Sequence, residues 1–261
     1  MIRDLKLADH EKVMRLLTKE PEINLFIIGD IENYGYHTDF QKVWGDFDEN
    51  AEQIKAVLVK YGHNFNFYAA EKNFDVAGFA RILASNEYKY LFGKKALIEV
   101  FDNIFHDNKI REYDFAKLDQ LVEIKVTEKV QRLEDKDLDK MLAFYAKMPK
   151  LAIRDTEIVK KEFLDQHARA FYIEKDGQIV SMARTTAGNR FSAMMVGIGT
   201  LPEYQKQGFS EQCVYKLGEN ILKMGKSLCL FYDSPEAAQL YKKLGFVVIG
   251  KWLQFENTKT F

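Results

Sequence analysis

The sequence predicts a mixed α/β fold, an α+β sheet with helices, built as two tandem and related halves. Three observations predict it. A strand, acidic turn and amphipathic helix occur near the start and again near the middle of the chain. An aromatic-rich strand, polar turn and second strand also recur, in the same order. Finally, 261 residues that are 47% hydrophobic and 13% aromatic suffice for two cores of about 120 residues each. The predicted domains are residues 1–120 and 121–261.

The first repeat aligns IRDLKLADHEKVMRLL, from Ile2, with VQRLEDKDLDKMLAFY, from Val130. Leu5 falls on Leu133, Asp9 on Asp137 and Lys12 on Lys140, while Val13, Leu16 and Leu17 fall on Met141, Phe144 and Tyr145. Each copy then carries apolar residues at helical spacing. The second repeat aligns FYAAEKNFDVAGFAR, from Phe67, with FYIEKDGQIVSMAR, from Phe171, with one residue of slippage. Both are read as strand, turn and strand, and in the later copy the turn is Asp176-Gly177, whose glycine accepts the positive φ of a tight hairpin. The junction is placed near His106 to Glu128. That stretch is charged and no glycine lies between Gly93 and Gly177, so it is read as an ordered connector. Leu121 to Val126 alternates like a strand.

Charge narrows the function. Lys+Arg 38 against Asp+Glu 39 leaves no basic footprint, so nucleic acid is not an expected partner. The start, MIRDLKLADHEK, is charged and does not resemble a signal peptide. The longest uncharged apolar run, Phe191 to Pro202, is short of the roughly 20 residues needed to span a bilayer, so no membrane association is expected. Cys213 and Cys229 cannot form a metal site alone, and no metal is predicted. A reducing cytoplasm is the simplest home for them.

The halves diverge after the second repeat. Residues 191–201, FSAMMVGIGTL, are apolar with glycines at 197 and 199. They read as a strand buried on both faces, with the glycines marking a bulge or a close backbone approach by a ligand. Pro202-Glu203-Tyr204 and Gln205-Lys206-Gln207-Gly208-Phe209-Ser210 follow, and from Gly208 to Met224 apolar positions recur at helical spacing. Buried strand, glycine-containing turn and helix is an order suited to anions. The first helical amides have no intrahelical partner, and the helix dipole adds positive character. Other phosphate motifs fail. Pro202 stands where a dinucleotide fingerprint needs its third glycine, and Gly225-Lys226-Ser227 follows a helix and precedes a strand, the reverse of a P-loop.

Gln205-Lys206-Gln207-Gly208-Phe209-Ser210 resembles the Q/R-x-x-G-x-G/A signature of GNAT acetyltransferases, with serine in the last place. Residues 233–246, DSPEAAQLYKKLGF, resemble the late helix of that family, N-x-x-A-x-x-x-Y-x-x-x-G-F, with Asp233 or Ser234 standing where asparagine is common. The blocks flank an apolar strand, Leu228 to Tyr232. The match runs from about Val130 to the end, and the first half resembles GNAT only through the repeat. Nothing like Q-x-x-G-x-G occurs near Tyr88 to Ala96, where a working copy would need it, so that half is expected to have lost acyl-CoA binding.

The resemblance implies a central, mostly antiparallel sheet flanked by helices in two GNAT-like domains, with acetyl-CoA as cosubstrate. It implies that the 205–210 amides hold the coenzyme A pyrophosphate. The backbone at Ile198, Gly199 and Thr200 would bind the pantetheine arm and supply an oxyanion-stabilising amide, and Ser234 joins the cofactor-binding set. Tyr241 is the candidate acid for the leaving thiolate, since an unperturbed phenol is protonated at neutral pH; the plainer alternative is a half-buried core aromatic. Glu203 and Glu236 read as solvated loop charges, Glu174 and Arg184 as structural by comparison with Glu71 and Arg81, and His63 and His167 as surface residues. The cysteines read as small apolar groups. The acceptor is expected to be a small-molecule or peptide amine and the protein a monomer or homodimer. The alternatives are a non-catalytic acyl-CoA sensor and an aminoacyl-transferring relative. The latter is disfavoured by the lack of basic balance and of a long helical arm.

Overall fold

The computed structural model describes residues 1–102, 104, 108–151, 153 and 155–258. It divides into two compact units, Met1–Phe115 with Ile249–Phe261, and Ala116–Val248. The predicted boundary at 120/121 lies close to the first division. The end of the chain, assigned by sequence to the second half, clusters instead with the first.

The first unit runs β1 (Ile2–Asp4), α1 (His10–Leu17), α2 (Leu25–Tyr34), β2 (Gln41–Phe47), β3 (Ile54–Tyr61), β4 (Asn64–Ala69), α3 (Val76–Ala84), β5 (Tyr90–Lys94) and the short α4 (Lys95–Ile98), and β6 (Asn108–Leu118) begins in it and ends in the second. The second runs β7 (Val130–Arg132), α5 (Leu138–Ala146), α6 (Thr156–Leu164), β8 (Ala170–Lys175), β9 (Gln178–Thr186), β10 (Ser192–Thr200), α7 (Phe209–Lys223), β11 (Ser227–Tyr232) and α8 (Pro235–Leu244). The last strand, β12 (Val247–Asn257), starts in the second unit and ends in the first.

In the first unit the strand order is β1-β2-β3-β4-β5-β12, antiparallel except for β4 and β5. In the second, β7 to β11 lie in sequence order, antiparallel except for β10 and β11. Each unit is therefore a mostly antiparallel sheet with one parallel pair, and the connection across that pair carries a helix, as parallel strands require. Met141, Phe144, Tyr145, Met182, Val214, Leu217, Leu228 and Leu230 form part of the second unit's core.

The first repeat is reproduced in detail. Asp9 accepts from the Lys6 amide at 3.0 Å and Asp137 from the Glu134 amide at 3.2 Å, so both acidic turns close in the same way before their helices. The second repeat is not. Residues 171–184 form the β8–β9 hairpin, with Asp176 and Gly177 at φ 50° and 77°. Residues 67–81 instead hold the end of β4, a loop and most of α3, so Glu71 and Arg81 are not counterparts of Glu174 and Arg184. The counterpart of β10 is β4, each being the strand that pairs parallel with the next. The junction begins at His106, outside the described residues. Leu121–Val126 is not a strand; the Val122 amide bonds to Leu244 O at 3.0 Å.

Candidate active site

The site is built where β10 and β11 part. Their parallel register covers Ser192–Met194 against Ser227–Cys229 and stops there, leaving the rest of β10 without β11 alongside. On its other edge β10 slips register against β9 between Val196 and Gly199, and Gly197 adopts φ 61°. This is the bulge that the glycines suggested. The Gly199 carbonyl accepts from Ser181 Oγ at 3.1 Å, and the Thr200 hydroxyl pairs with the same oxygen at 2.8 Å.

The loop after β10 leads into α7. Lys206 and Gly208 have φ 61° and 73°. Alternation of left- and right-handed residues turns successive amides toward one side, as in an anion-binding nest. Gly208 is the N-cap of α7 and brings no side-chain cap, so the first α7 amides meet no protein acceptor among the described residues. This 15-residue helix therefore presents unmatched donors and the positive end of its dipole. A Cβ built at Gly208 meets nothing within 4 Å, so the space in front of the loop is open.

A cavity of about 390 Å³ lies between loop and strand, lined by Ile198, Gly199, Thr200, Gln205, Lys206, Gly208, Phe209, Ser210 and Tyr241. Nine predicted residues thus share one surface. Gln207 and Ser234 are not among its walls. Ser234 caps α8, its Oγ accepting from the Ala237 amide at 3.2 Å. That accounts for a short hydroxyl where the family often has asparagine, since both are good N-caps. Met148, Tyr204, Ala237, Leu240 and Glu236 complete the walls. Sequence reading missed the first four of these: Ala237 and Leu240 lie on α8, where helical spacing looks like ordinary core packing, while Met148 follows the end of α5 and Tyr204 ends the short turn before the loop, outside any periodic pattern.

Tyr241 is 7% exposed, with its ring 5.5 Å from those of Tyr232 and Phe246. Burial pushes its phenol up to about 12, because desolvation penalises the phenolate. The hydroxyl is therefore held as a proton donor past the ordinary phenol value. Cys213 and Cys229 are fully buried, and burial pushes the Cys213 thiol up to about 12, so Cys213 is not a thiolate nucleophile. Glu174 is paired with Lys140 at 2.7 Å.

The first unit offers an internal contrast. Between β4 and α3 lies Ala70-Glu71-Lys72-Asn73-Phe74-Asp75, without glycine; Tyr88 to Ala96, expected from sequence to be the place of a working copy, instead holds β5 and the start of α4. Asp75 Oδ1 accepts from the Gly78 amide at 2.8 Å, and Asp46 Oδ2 from the Asp75 amide at 3.0 Å. Two carboxylates of the chain already occupy this helix start, where an anionic ligand would have to sit.

Among the described residues no helix is long and apolar enough to cross a membrane, and no group of three or more His, Cys, Asp or Glu could hold a metal ion. A family model for GNAT acetyltransferase matches residues 36–255. The chain is 24% identical over 101 residues to an uncharacterised N-acetyltransferase of Pyropia yezoensis, the match covering 39% of this chain and 54% of that protein; it thus spans about half the length of that curated relative. Among solved structures, a GCN5-related N-acetyltransferase-like protein from Streptococcus suis is similar with a TM-score of 0.60 at 15% identity, covering 95% of this chain and 98% of that one. A tandem GNAT protein from the clavulanic acid biosynthesis pathway is similar with a TM-score of 0.59 at 12% identity, covering 100% and 99%. At such identities the structural likeness carries the fold alone. The family model covers the bulged strand, the glycine loop and the late helix together, and the chain belongs to the GNAT acetyltransferase family.

Proposed function

We propose that this protein is an acetyl-CoA-dependent N-acetyltransferase that moves an acetyl group directly to a primary amine of a small molecule or peptide. The observation that carries this reading is the convergence, on one cavity, of uncapped α7 amides, the open edge of β10 and a protonated Tyr241. Amides at the α7 start would bind the pyrophosphate of acetyl-CoA, and β10 would take the amide-rich pantetheine arm along its unpaired edge, much as a sheet accepts another strand. An amide at the bulge would stabilise charge developing on the thioester oxygen. Tyr241 would return a proton to the departing sulfur. Holding amine and thioester together contributes up to ~7–11 kcal/mol, so a strong protein base is not required. Binding of acetyl-CoA would be confined to the second unit, because Asp75 and Asp46 fill the equivalent place in the first. A cytoplasmic setting suits both the reduced cysteines and the cosubstrate.

Thiol release from acetyl-CoA, measured across a broad panel of amines, tests the reading. Amine-dependent release supports it; tight acetyl-CoA binding without turnover on any amine would favour a sensor instead. Gly208→Val probes the loop. A β-branched residue at φ 73° strains the backbone by about 1–2 kcal/mol and fills the open space before the α7 amides. Acetyl-CoA affinity is expected to fall about tenfold or more, ~1.4 kcal/mol or above, with a modest fall in melting temperature. A folded variant with parental affinity in calorimetry would show that the loop cradles no phosphate.

A further inference from the structure

We propose that the Tyr145 hydroxyl is a positioning group that sets the β10 bulge for acyl transfer, acting through the Gly197 peptide and touching neither substrate. This rests on the acetyltransferase reading above. Tyr145 lies on α5, is 1% exposed, and its hydroxyl donates to the Gly197 carbonyl at 2.7 Å. A trans peptide holds its C=O and the following N–H on opposite sides. Tying the Gly197 oxygen to Tyr145 therefore turns the Ile198 amide away from Tyr145, and Ile198 lines the cavity that also holds Tyr241.

The bulge has little freedom to turn back. A Cβ at Gly197 would lie 2.5 Å from the Tyr145 hydroxyl and 3.2 Å from Arg184 Nε, so the glycine is wedged between a phenol and a guanidinium. The Arg184 guanidinium sits 5.8 Å from the centre of the Tyr145 ring and 3.8 Å from Glu162 Oε2. Its Nε and Nη1 are buried without a hydrogen-bond partner, so it backs the ring as a charge and a volume rather than competing for the Gly197 carbonyl.

The repeat supplies a comparison within the molecule. The residue aligned with Tyr145 in the first half is Leu17, equally buried but without a hydroxyl. Its strand, β4, pairs with β3 from Tyr61↔Asn64 to Ala56↔Ala69 with no slip of register. The hydroxyl accompanies the bulged strand and is missing beside the regular one.

Infrared spectroscopy of acetyl-CoA labelled with 13C at the thioester carbonyl tests this on the full chain without knowing the acceptor. A donor aimed at that carbonyl lowers its stretching frequency on binding. The parent protein is expected to show the downshift. Tyr145→Phe should bind acetyl-CoA within about threefold of the parent, since the loop amides remain. It should nevertheless lose the downshift, and kcat on any accepted amine should fall about 10²-fold, as for a lost oxyanion donor, at unchanged KM for acetyl-CoA. A Tyr145→Phe protein with parental downshift and kcat overturns the proposal, as does a parent that binds with no downshift. If Tyr145→Phe does not fold, Gly197→Ala is the second variant, because its methyl displaces the same hydroxyl. A folded Gly197→Ala that keeps the downshift also overturns it. Failure of the underlying reading is distinct: the parent would then not bind acetyl-CoA at all.

Discussion

Replacing Tyr241 with phenylalanine is expected to lower kcat by about 10²–10⁴-fold, the usual contribution of general acid catalysis, with acetyl-CoA affinity and melting temperature near parental. The ring survives, and with it the packing on Tyr232 and Phe246; only the hydroxyl of this cavity-lining residue is lost. Because burial holds the phenol at about 12, it stays protonated past its ordinary value of 10. Any alkaline loss of parental activity below about pH 11 then has another origin and should persist in the variant. Stability gives a second reading. A folded-state value above the unfolded one means that the advantage of burying the neutral phenol is complete below pH 10 and is lost as pH rises from 10 toward 12. The parent should therefore lose melting temperature over that interval relative to the variant, which has no phenol to ionise, so curves that coincide below pH 10 separate above it. Full kcat in Tyr241→Phe would assign the proton to water, and Tyr241 would be a packing aromatic.

Ending the chain at Val248 is expected to unfold the first unit although nearly all of that unit lies far upstream. The segment Trp252–Glu256 pairs antiparallel with Lys94–Tyr90. It buries Trp252 and Leu253 to 5% exposure and Phe255 completely. At about 1.5–3 kcal/mol for each large apolar side chain, the loss is ~5–9 kcal/mol, comparable to the ~5–15 kcal/mol that holds a typical domain together. Hydrogen exchange should show protection collapsing over β2 to β5 in the truncated protein. Unchanged protection there would mean that the first unit stands without its last strand. A test of the separated halves must accordingly keep residues 249–261 with the first.

What could be read from sequence was local. The glycine loop, the Ser234-to-Phe246 helix and the acidic turns at Asp9 and Asp137 each lie within a few residues, and all stand where the spacing placed them. The misread segment, residues 67–81, also carried a usable signal. Asp75 is an N-cap and Phe74 packs against Phe79, their ring centroids 6.3 Å apart. That is the hydrophobic staple of a helix start, but VAGFAR was read by its likeness to VSMAR. Two features were beyond reach. The bond from Tyr145 to Gly197 joins residues 52 apart in sequence, and helical periodicity reports a buried tyrosine only as apolar. The pairing of β12 with β5 is a choice among sheet edges, and alternation along a strand does not say which edge it will join.

The placement of β12 also bears on how the protein is made. A domain at the start of a chain ordinarily folds while the rest is still being synthesised, at ~5–20 residues per second. Here the first unit lacks its last strand until Asn257 has been added, so it must wait on the order of ten seconds for the intervening residues. Throughout that wait β5 offers an open edge and uncovered apolar surface, a template for pairing with neighbouring nascent chains. The second unit's elements from β7 to α8, contiguous in sequence, can be completed first. Birth order and folding order are thus reversed, and slowing translation would lengthen the exposure of the older half.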